Sequence, residues 1–433
     1  MKTILLKGGF VVTPEAVIRS DIILREGRLQ LVDAKTQSDK VLDISGKYVV
    51  PGFVDIHFHG YSLFEFTAGL YDPESDSFDN SRTAYRQGFE MLSSKMAEFG
   101  VTGFYVASGT DSIDTLKTCY SRLAEFLNSP EPPAPGARLL GALLEGPFIN
   151  PDMAGAMNPE LVQEPLREIF DSLNDKGTVK LANVVPDAGS KSCELIRYLT
   201  EKGIIVGAGH TNATCRQIEQ AVKAGLKYCI HFTNGPTGGS YKPFDGGGAV
   251  EAVLKFDELY AEQICDGFHV NPAYVLDITK RKGIDKIIGI TDCSYVAGSG
   301  VKEFSIGGIR GAASEDGSHL RVLGKVNTLF GSTLTMNRGF NNLLNWLTTD
   351  MQGIWNRLHE ALRFEEALMA AVRIFSTNPC VLTGRAKQGY GSIVDGARAD
   401  LCVLDIAGSA ADYKVSVEST IVDGNMVYQA AKS

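Results

Sequence analysis

The segment Tyr48 to Gly60, which reads YVVPGFVDIHFHG, places two histidines at the end of an apolar, strand-like run. Alternate side chains of a β-strand share one face, so His57 and His59 point to the same side and Phe58 points to the other. Two imidazoles presented in this way can bind one metal ion. Because an isolated His-x-His pair is also found as ordinary polar residues at a strand end, the motif needs support from the rest of the chain.

Further residues with metal-binding or acid-base side chains follow predicted strands in the same manner. Glu145 comes after LLGALL, His210 after IIVGAG, His231 after KYCI and Asp292 after IIGIT. His269, in DGFHV, follows another predicted strand. Any one of these residues alone would more often be an ordinary hydrogen-bonded residue than a metal ligand. A set of such residues at strand ends, however, can converge on one site. The pattern therefore predicts a metal centre with an acid-base group beside it.

The elements that would position these residues alternate between strands and helices from about residue 53 to 380. Helical stretches such as CRQIEQAVKAG and AYVLDITKRKG end in glycine, a common helix stop. Eight βα units predict a TIM-like (β/α)8 barrel of α/β class, and an open doubly wound sheet is the alternative. The strand candidates are GFVDIHFH and residues 101 to 107, 138 to 146, 179 to 186, 203 to 210, 226 to 232, 259 to 267 and 285 to 292.

Both ends of the chain have β-like alternation with glycine turns. The N-terminal part contains TILLKGGFVV, DIILREGRLQLVD and KVLDISGKYVV, and the C-terminal part contains GARADLCVLDI and STIVDGNMVYQA. We predict that residues 1–50 and 386–433 form a small β-sandwich domain in which the two ends share a sheet. Residues 51–385 would then form the barrel domain.

Composition limits the classes of partner. The chain of 433 residues is 44% hydrophobic and 21% charged, with a formal net charge of -9. The negative charge argues against a basic surface for nucleic acid or anionic membrane, so a small-molecule substrate is expected. No bilayer-spanning stretch or clear signal-peptide cleavage site is found, so cytoplasm is the expected location. The eight cysteines lack any CxxC pair, which predicts reduced, mostly buried thiols. We expect His319 and His359 to be surface residues in a polar turn and a helix.

Six motifs in order, PGFVDIHFHG, LLEGPFINP, AGHTNA, HFTNGP, CDGFHVNP and GITD, resemble those of the amidohydrolase superfamily, and specifically the N-acetylglucosamine-6-phosphate deacetylase family. The later stretches GSTLTM and NPCVLTGRAKQGYGSIVDGARADLCVLD are similar to the closing region of that family. The resemblance covers nearly the whole chain. LEGPF followed by GH, HFTN and DG-x-H is much more specific than the His-x-His pair.

The resemblance implies a divalent metal, Zn or Fe, held by Glu145, His210 and His231. His57 and His59 match a pair that holds a second metal in some members of the family, so one or two ions per subunit are implied. Related dihydropyrimidinases bridge two metals with a carboxylated lysine at the end of the fourth strand. Here the only lysine of that strand lies near its beginning, which leaves Glu145 as the better bridging carboxylate.

The resemblance also implies the reaction, hydrolysis of an N-acetyl amide on an amino-sugar phosphate, within a homodimer. Metal-activated water would attack the amide, with Asp292 as general base and then general acid. His269 resembles the substrate-binding histidine of the family. Asn234 and Gly235 resemble the segment that offers an amide and backbone N–H groups to the sugar phosphate.

Two departures from the family pattern bear on the substrate. Met157 stands in AGAMNP where the family has a histidine, and a thioether cannot make that histidine's strong hydrogen bonds. Lys242 stands where the family has an arginine that reaches the phosphate across a dimer interface. Lysine can pair with a phosphate as a point charge, without the bidentate geometry of arginine.

These departures keep other functions open. An amidohydrolase acting on N-acetylgalactosamine 6-phosphate, an N-acyl amino acid or a cyclic amide would share the metal site and differ in its anion pocket. A barrel that has lost its metal and serves as an assembly scaffold is a further class. Retention of every ligand position and of Asp292 argues against the scaffold.

Overall fold

The central feature of the structure is a sheet of eight parallel strands that follow one another in chain order. The structure, a computed structural model, describes residues 3–32, 37–234, 246–353 and 357–431. Seven of the eight strands lie within the predicted segments, and the second extends one residue beyond its segment. We number these barrel strands β1 Phe53–Phe58, β2 Val101–Ser108, β3 Arg138–Leu144, β4 Val179–Asn183, β5 Ile205–Ala208, β6 Tyr228–Cys229, β7 Tyr260–Ile264 and β8 Ile287–Ile290.

The sheet closes between β8 and β1. The backbone N–H of Asp292 donates to the carbonyl of His57 at 2.9 Å, and a parallel bridge joins Phe58 to Cys293. In an open doubly wound sheet the first and last strands would be edges without such contacts. The closure therefore confirms the predicted TIM-like barrel over the open-sheet alternative.

Helices surround the barrel, and their ends carry the expected signals. In Cys215–Ala224, Thr214 and Gln217 form a reciprocal capping box, and Gly225 ends the helix with a φ of 123°. The α-helices of the described residues are Arg82–Glu98, Ile113–Leu127, Arg167–Leu173, Ser190–Glu201, Cys215–Ala224, Ala249–Lys255, Pro272–Lys282, Met336–Leu347, Phe364–Val372 and Asn378–Leu382. Shorter 3-10 turns are Pro151–Met153, Pro159–Leu161, Pro186–Ala188, Ile284–Lys286 and Arg385–Gln388, and Arg373–Thr377 is a π-helix.

The two chain ends share one sheet, as predicted. Leu401 pairs with Pro51, and Leu404 pairs with Tyr48, so a C-terminal strand is hydrogen-bonded to an N-terminal one. The shared sheet contains, in spatial order, Asn425–Gln429, Lys414–Val422, Leu401–Ala407, Tyr48–Pro51, Phe10–Val12 and Val17–Arg19. A second sheet contains Arg28–Val32, Asp21–Arg25, Ile4–Lys7 and Lys40–Asp43. The domain boundaries at residues 50 and 386 remain a prediction.

Two small antiparallel sheets that the sequence did not predict follow β1 and β8. Tyr71 from the first sheet stacks edge-on with Tyr295, which precedes the second, at a ring distance of 5.3 Å. The first sheet contains Gly60–Tyr61, Phe64–Glu65, Gly69–Asp72 and Ser77–Asp79. The second contains Glu303–Ile306, Ile309–Ala313 and Leu320–Val322, and a separate pair joins Met351–Gln352 to Arg357–His359.

Several minor expectations can be compared with the structure. All eight cysteines are free, and seven of them are buried, which confirms the expected thiols. None of the described helices has both the length and the apolarity that crossing a bilayer requires.

The prediction of a helix around His359 is wrong. His359 ends a strand instead, and its Nε2 lies 3.0 Å from the Leu347 carbonyl, because pairing with Met351 overrides the local helical pattern.

The helix Arg82–Glu98 generates a stability prediction at Gly88. A Cβ atom on Gly88 would lie 2.1 Å from Cδ2 of Phe64, a fully buried ring. Alanine is favoured over glycine in a helix by about 1 kcal/mol, but overpacking a core costs about 1–3 kcal/mol. We expect Gly88→Ala to lower the melting temperature, whereas the exposed control Gln87→Ala leaves it unchanged or raised. A Gly88→Ala protein that melts at a higher temperature than wild type would contradict this packing.

Candidate metal centre

The six predicted ligand and acid-base residues lie together at one end of the barrel. Each is within two residues of the C-terminal end of its strand. Because the C-terminal ends of parallel barrel strands meet at one rim, residues from distant parts of the chain become neighbours. The six residues are His57 and His59 on β1, Glu145 after β3, His210 after β5, His231 after β6 and Asp292 after β8.

Three of these residues have an unusual backbone conformation. His210, His231 and Asp292 have φ values of 51°, 30° and 50°, in the left-handed region that non-glycine residues rarely adopt. This conformation costs about 1–3 kcal/mol per residue and persists where the surrounding structure imposes it. Each of the three lies two residues beyond its strand, so the strained turns occur where the chain turns away from the barrel.

Glu145 lies between two pairs of histidines. Its Oε1 is 3.2 Å from His210 Nε2 and 2.9 Å from His231 Nε2. Its Oε2 is 3.2 Å from His59 Nε2 and 3.6 Å from His57 Nε2. Glu145 Oε2 is buried and has no hydrogen-bond partner among the described residues. One oxygen thus faces each histidine pair, so the two pairs share this one carboxylate.

The donor atoms fit divalent metals. On each side of Glu145 the three candidate ligand atoms lie within 4.8 Å of one another. The paired imidazole nitrogens are close, 3.1 Å for His210 and His231 and 3.3 Å for His57 and His59. Two lone pairs this close repel unless a proton or a cation lies between them. Imidazole nitrogen and carboxylate oxygen suit Zn²⁺ and Fe²⁺, so the residues present fit the metal that the motifs imply.

Asp292 faces the ligands and completes the centre. Its Oδ1 lies 3.2 Å from His59 Nε2 and 3.7 Å from His57 Nε2. The residue is 6% exposed, and it lines the cavity above the centre. A carboxylate at this position can hold a proton between the ligand sphere and a molecule in the cavity.

The charges of the centre reinforce one another. Burial opposes ionisation of His57, but the carboxylates of Glu145 and Glu262 raise its pKa well above the usual value. Burial likewise opposes ionisation of His59, yet Asp292 and Glu145 raise its pKa to about 10. Desolvation disfavours the ionised carboxylates, but the histidines hold the pKa of Glu145 well below its usual range and lower that of Asp292. The centre therefore strongly favours positive charge beside its carboxylates, as a cation site requires.

Groups behind the ligands fix their orientation. His210 Nδ1 lies 2.9 Å from the Met153 carbonyl, which directs Nε2 towards Glu145. Asn183 at the end of β4 donates from Nδ2 to the Glu145 carbonyl at 3.0 Å and accepts the Gly209 N–H at 2.8 Å. Hydrogen bonds of this kind, from residues outside the ligand set, hold metal ligands in position before the ion binds.

A cavity of about 1140 Å³ opens above the metal centre. Met157, Asn234 and His269 line it, so the structure brings these predicted substrate-binding residues to the centre. Gly235 and Lys242 lie outside the described residues. The predicted catalytic and ligand residues that also line the cavity are His59, Glu145, His210, His231 and Asp292.

His269 has one free nitrogen on its ring. Its Nδ1 lies 2.5 Å from Asp266 Oδ2, while its Nε2 is buried without a partner among the described residues. Desolvation acts against an ionised Asp266, but the hydrogen bond with His269 still lowers the pKa of that carboxyl. Nε2 is therefore the ring atom available to a bound molecule.

Met157 replaces the family's histidine with a weakly polar contact. The Thr110 hydroxyl donates to Met157 Sδ at 3.0 Å, so a neighbour rather than a ligand uses the sulfur. Both residues line the cavity. This side of the cavity offers a compact hydroxyl–thioether pair in place of an imidazole.

Sequence reasoning missed two buried carboxylates near the centre. Glu262 on β7 is fully buried beside His57, and Glu65 is 3% exposed and lines the cavity. Burial raises the pKa of Glu65 to about 7, although His59 and the backbone N–H of Ala68 oppose the shift. An acid inside a predicted buried strand, as in YAEQI, was the available signal for Glu262.

Sequence reasoning also missed the contribution of the second small sheet. His319 was expected on the surface, but it lines the cavity and its ring lies 5.0 Å from that of Phe268. His319 is half-buried there, because the small sheet that carries it forms part of the cavity wall. Arg321 and Lys325 line the same cavity, and Lys325 Nζ donates to the Gly155 carbonyl at 2.8 Å. Their positions depend on long-range packing that the local sequence does not show.

The closed barrel carries a histidine–glutamate cluster at its C-terminal rim, which is the arrangement that the amidohydrolase-like motifs predicted. No protein-family model matches the chain. Curated proteins do match it. The chain is 28% identical over 377 residues to N-acetylglucosamine-6-phosphate deacetylase of Lysinibacillus sphaericus, covering 86% of this chain and 87% of the relative. It is 27% identical to the Homo sapiens enzyme of the same name, covering 98% and 94% of the two chains.

Solved structures agree with these relatives on the fold. The N-acetyl-D-glucosamine-6-phosphate deacetylase of Mycobacterium smegmatis superposes with a TM-score of 0.78 at 24% identity, covering 99% of this chain and 100% of the other. The resemblance predicted from the motifs is confirmed. The curated relatives and structural neighbours of this chain are N-acetylglucosamine-6-phosphate deacetylases of the amidohydrolase superfamily.

The geometry around Glu145 generates a prediction about metal content. Because both histidine pairs depend on this carboxylate, Glu145→Ala should lose bound metal and turnover, and His210→Ala or His231→Ala should do the same. The His57→Ala, His59→Ala double variant should keep about one ion per subunit, held by the other three ligands. Elemental analysis after dialysis against Zn²⁺ measures this, with circular dichroism to verify folding.

The exposed Glu160→Ala is the matched control, since it removes a carboxylate outside the centre. Glu145→Ala protein that keeps wild-type metal content and activity would contradict the assignment.

Proposed function

We propose that the protein is a metal-dependent deacetylase that hydrolyses the N-acetyl amide of N-acetylglucosamine 6-phosphate, releasing glucosamine 6-phosphate and acetate. The observation that carries the proposal is Glu145 between two histidine pairs, with Asp292 facing them on the cavity side. The chain also matches deacetylases of that name along nearly its whole length. The cavity above the centre provides room for a sugar phosphate.

We propose two ions per subunit, Zn²⁺ or Fe²⁺, which His57, His59, His210, His231 and Glu145 would hold. Such ions supply a water nucleophile at neutral pH and polarise an amide carbonyl. A homodimer, in which Lys242 would reach the phosphate of the neighbouring subunit, and a cytoplasmic location remain predictions.

Asp292 would handle the protons of the reaction. Its pKa is lowered despite burial, because His59 and His57 stabilise the carboxylate, so it is ionised and able to accept a proton at neutral pH. An amide nitrogen leaves readily only when protonated, and Asp292 can return its proton to that nitrogen. Because Asp292 lies beside His59 and lines the cavity, it can reach both the water that attacks the amide and the leaving nitrogen.

The remaining cavity residues would hold the sugar. His269 Nε2 is free for a sugar oxygen, and Asp266 on the other ring nitrogen holds the imidazole in place. We propose that Asn234, Gly235 and Lys242 bind the phosphate side of the substrate. Met157 would pack against an apolar part of the ligand, since its sulfur already accepts from Thr110.

Asp292→Asn tests the proton transfer. The amide keeps the shape of the side chain but is not a base, so metal content should stay at the wild-type value while kcat falls by about a hundredfold or more. The acidic limb of the pH profile of kcat/KM should also disappear. Stopped assays of acetate release across pH measure both effects. A loss of only a few-fold with an intact acidic limb would place the proton transfer on another residue.

A substrate panel tests the phosphate assignment. N-acetylglucosamine 6-phosphate, N-acetylgalactosamine 6-phosphate, the two free sugars and N-acyl amino acids are compared in one assay. We expect the glucosamine phosphate to be hydrolysed fastest. A charge-assisted contact is worth about 1.5–3 kcal/mol, so Lys242→Ala should lower kcat/KM for the phosphorylated sugar about ten- to a hundredfold.

The control for this variant is Lys387→Ala, an exposed lysine of the turn Arg385–Gln388. Equal rates with and without phosphate in wild type would rule the phosphate assignment out. If the protein preferred an N-acyl amino acid or a cyclic amide, that class would become the assigned substrate, and the proposed metal chemistry would be unaffected.

A further inference from the structure

We propose that Glu262 is a positioning residue that holds His57 in the orientation needed to bind the second metal ion. Glu262 lies on β7 and lines neither the cavity nor the candidate metal sites. The inference rests on the metal centre of the proposed function, and it concerns a residue outside the ligand set.

The geometry of the contact is specific. Glu262 Oε2 lies 3.1 Å from His57 Nδ1, with both side chains fully buried. The other ring nitrogen, Nε2, faces His59, Glu145 and Asp292 at 3.3, 3.6 and 3.7 Å. The imidazole is thus fixed from behind by one carboxylate while its front nitrogen faces the second ligand group.

The carboxylate that does this is itself fixed. Glu262 Oε2 also accepts the backbone N–H of His231 at 2.9 Å. The Glu262 carbonyl accepts the N–H of Phe232 at 2.9 Å, which ties β7 to the end of β6. One oxygen therefore contacts a ligand residue from each side of Glu145, namely the ring of His57 and the backbone of His231.

The chemistry of imidazole explains why this contact matters. A neutral histidine carries one ring proton, and a hydrogen bond from Nδ1 to a carboxylate keeps that proton on Nδ1. Nε2 then has its lone pair available for a metal. Such carboxylate–histidine pairs orient ligands and raise their basicity, and loss of the carboxylate typically weakens metal binding about 10- to 100-fold.

A purely structural ion pair is the competing interpretation. The Oε1 atom of Glu262 is buried without a partner among the described residues, so this carboxylate is not fully satisfied by the fold alone. If Glu262 served only the stability of the fold, its replacement would lower that stability but leave the affinity for the second ion unchanged. The two interpretations therefore differ in the metal titration.

The test measures the two metal affinities of full-length protein by titrating metal-free samples with Zn²⁺ against a fluorescent chelator. Glu262→Gln keeps the size of the side chain and removes its charge. We expect the ion at His57 and His59 to bind about 10- to 100-fold more weakly, and the ion at His210 and His231 to be less affected. The matched control is Glu160→Gln, the same change at an exposed carboxylate outside the centre, which should leave both affinities unchanged.

A double-variant cycle separates a positioning role from a structural one. If Glu262 acts through His57, then His57→Ala with Glu262→Gln should bind the second ion no more weakly than His57→Ala alone. Should Glu262→Gln fail to fold, Glu262→Asp replaces it, since it keeps the carboxylate but withdraws it from Nδ1.

The outcomes distinguish this inference from the proposed function. Wild type that binds two ions and a Glu262→Gln protein that binds both with unchanged affinity would overturn the positioning role alone. Wild type that binds one ion, with an affinity that Glu262→Gln leaves unchanged, would overturn it as well. Wild type that binds no ion would overturn both the metal centre and this inference, whereas failure of the sugar assay alone leaves the metal titration valid.

Discussion

The structure depends on one buried carboxylate, Glu145, being placed between two pairs of imidazoles. Taking an ionised carboxylate out of water costs several kcal/mol unless nearby charge compensates it. Either protonated imidazoles or bound cations must supply that charge, because the Nε2 atoms approach one another at 3.1 and 3.3 Å. Divalent cations held by Glu145 and the four histidines would supply that charge and occupy the nitrogen lone pairs as well. The chemistry of the site and its electrostatic stability therefore have the same origin.

The barrel is the element that makes this placement possible. Its strands bring the ligands to one rigid rim, and the left-handed turns at His210, His231 and Asp292 begin where the strands end. Strain of this kind is tolerated because the closed sheet and the hydrogen bonds of Asn183 hold the surrounding backbone. The small sheets that follow β1 and β8 add Glu65, His319 and Arg321 to the cavity wall. The rim thus provides the metal chemistry, and the added sheets shape the space for the substrate.

Much of this arrangement was predictable because it follows from local patterns. Apolar runs that end in His210, His231 or Asp292 identify both a strand and its functional end, and parallel strands must bring those ends together. Glu262 was not predictable in this way, since its partner His57 is distant in sequence and the pair meets only when the barrel closes. The position of His319 in the cavity wall was not predictable for a related reason, because the local sequence does not show which segments pack against a polar turn. Lys242 lies outside the described residues, so its role still rests on the family resemblance.

Anomalous X-ray diffraction from crystals grown with Zn²⁺, recorded at the zinc absorption edge, shows directly whether metal ions lie beside Glu145. We expect two anomalous peaks in each subunit, one on each side of the Glu145 carboxylate, with His210 and His231 around one and His57 and His59 around the other. A single peak beside His210 and His231 would contradict the two-ion centre. The absence of any peak within bonding distance of Glu145, in crystals that contain zinc, would contradict the account as a whole.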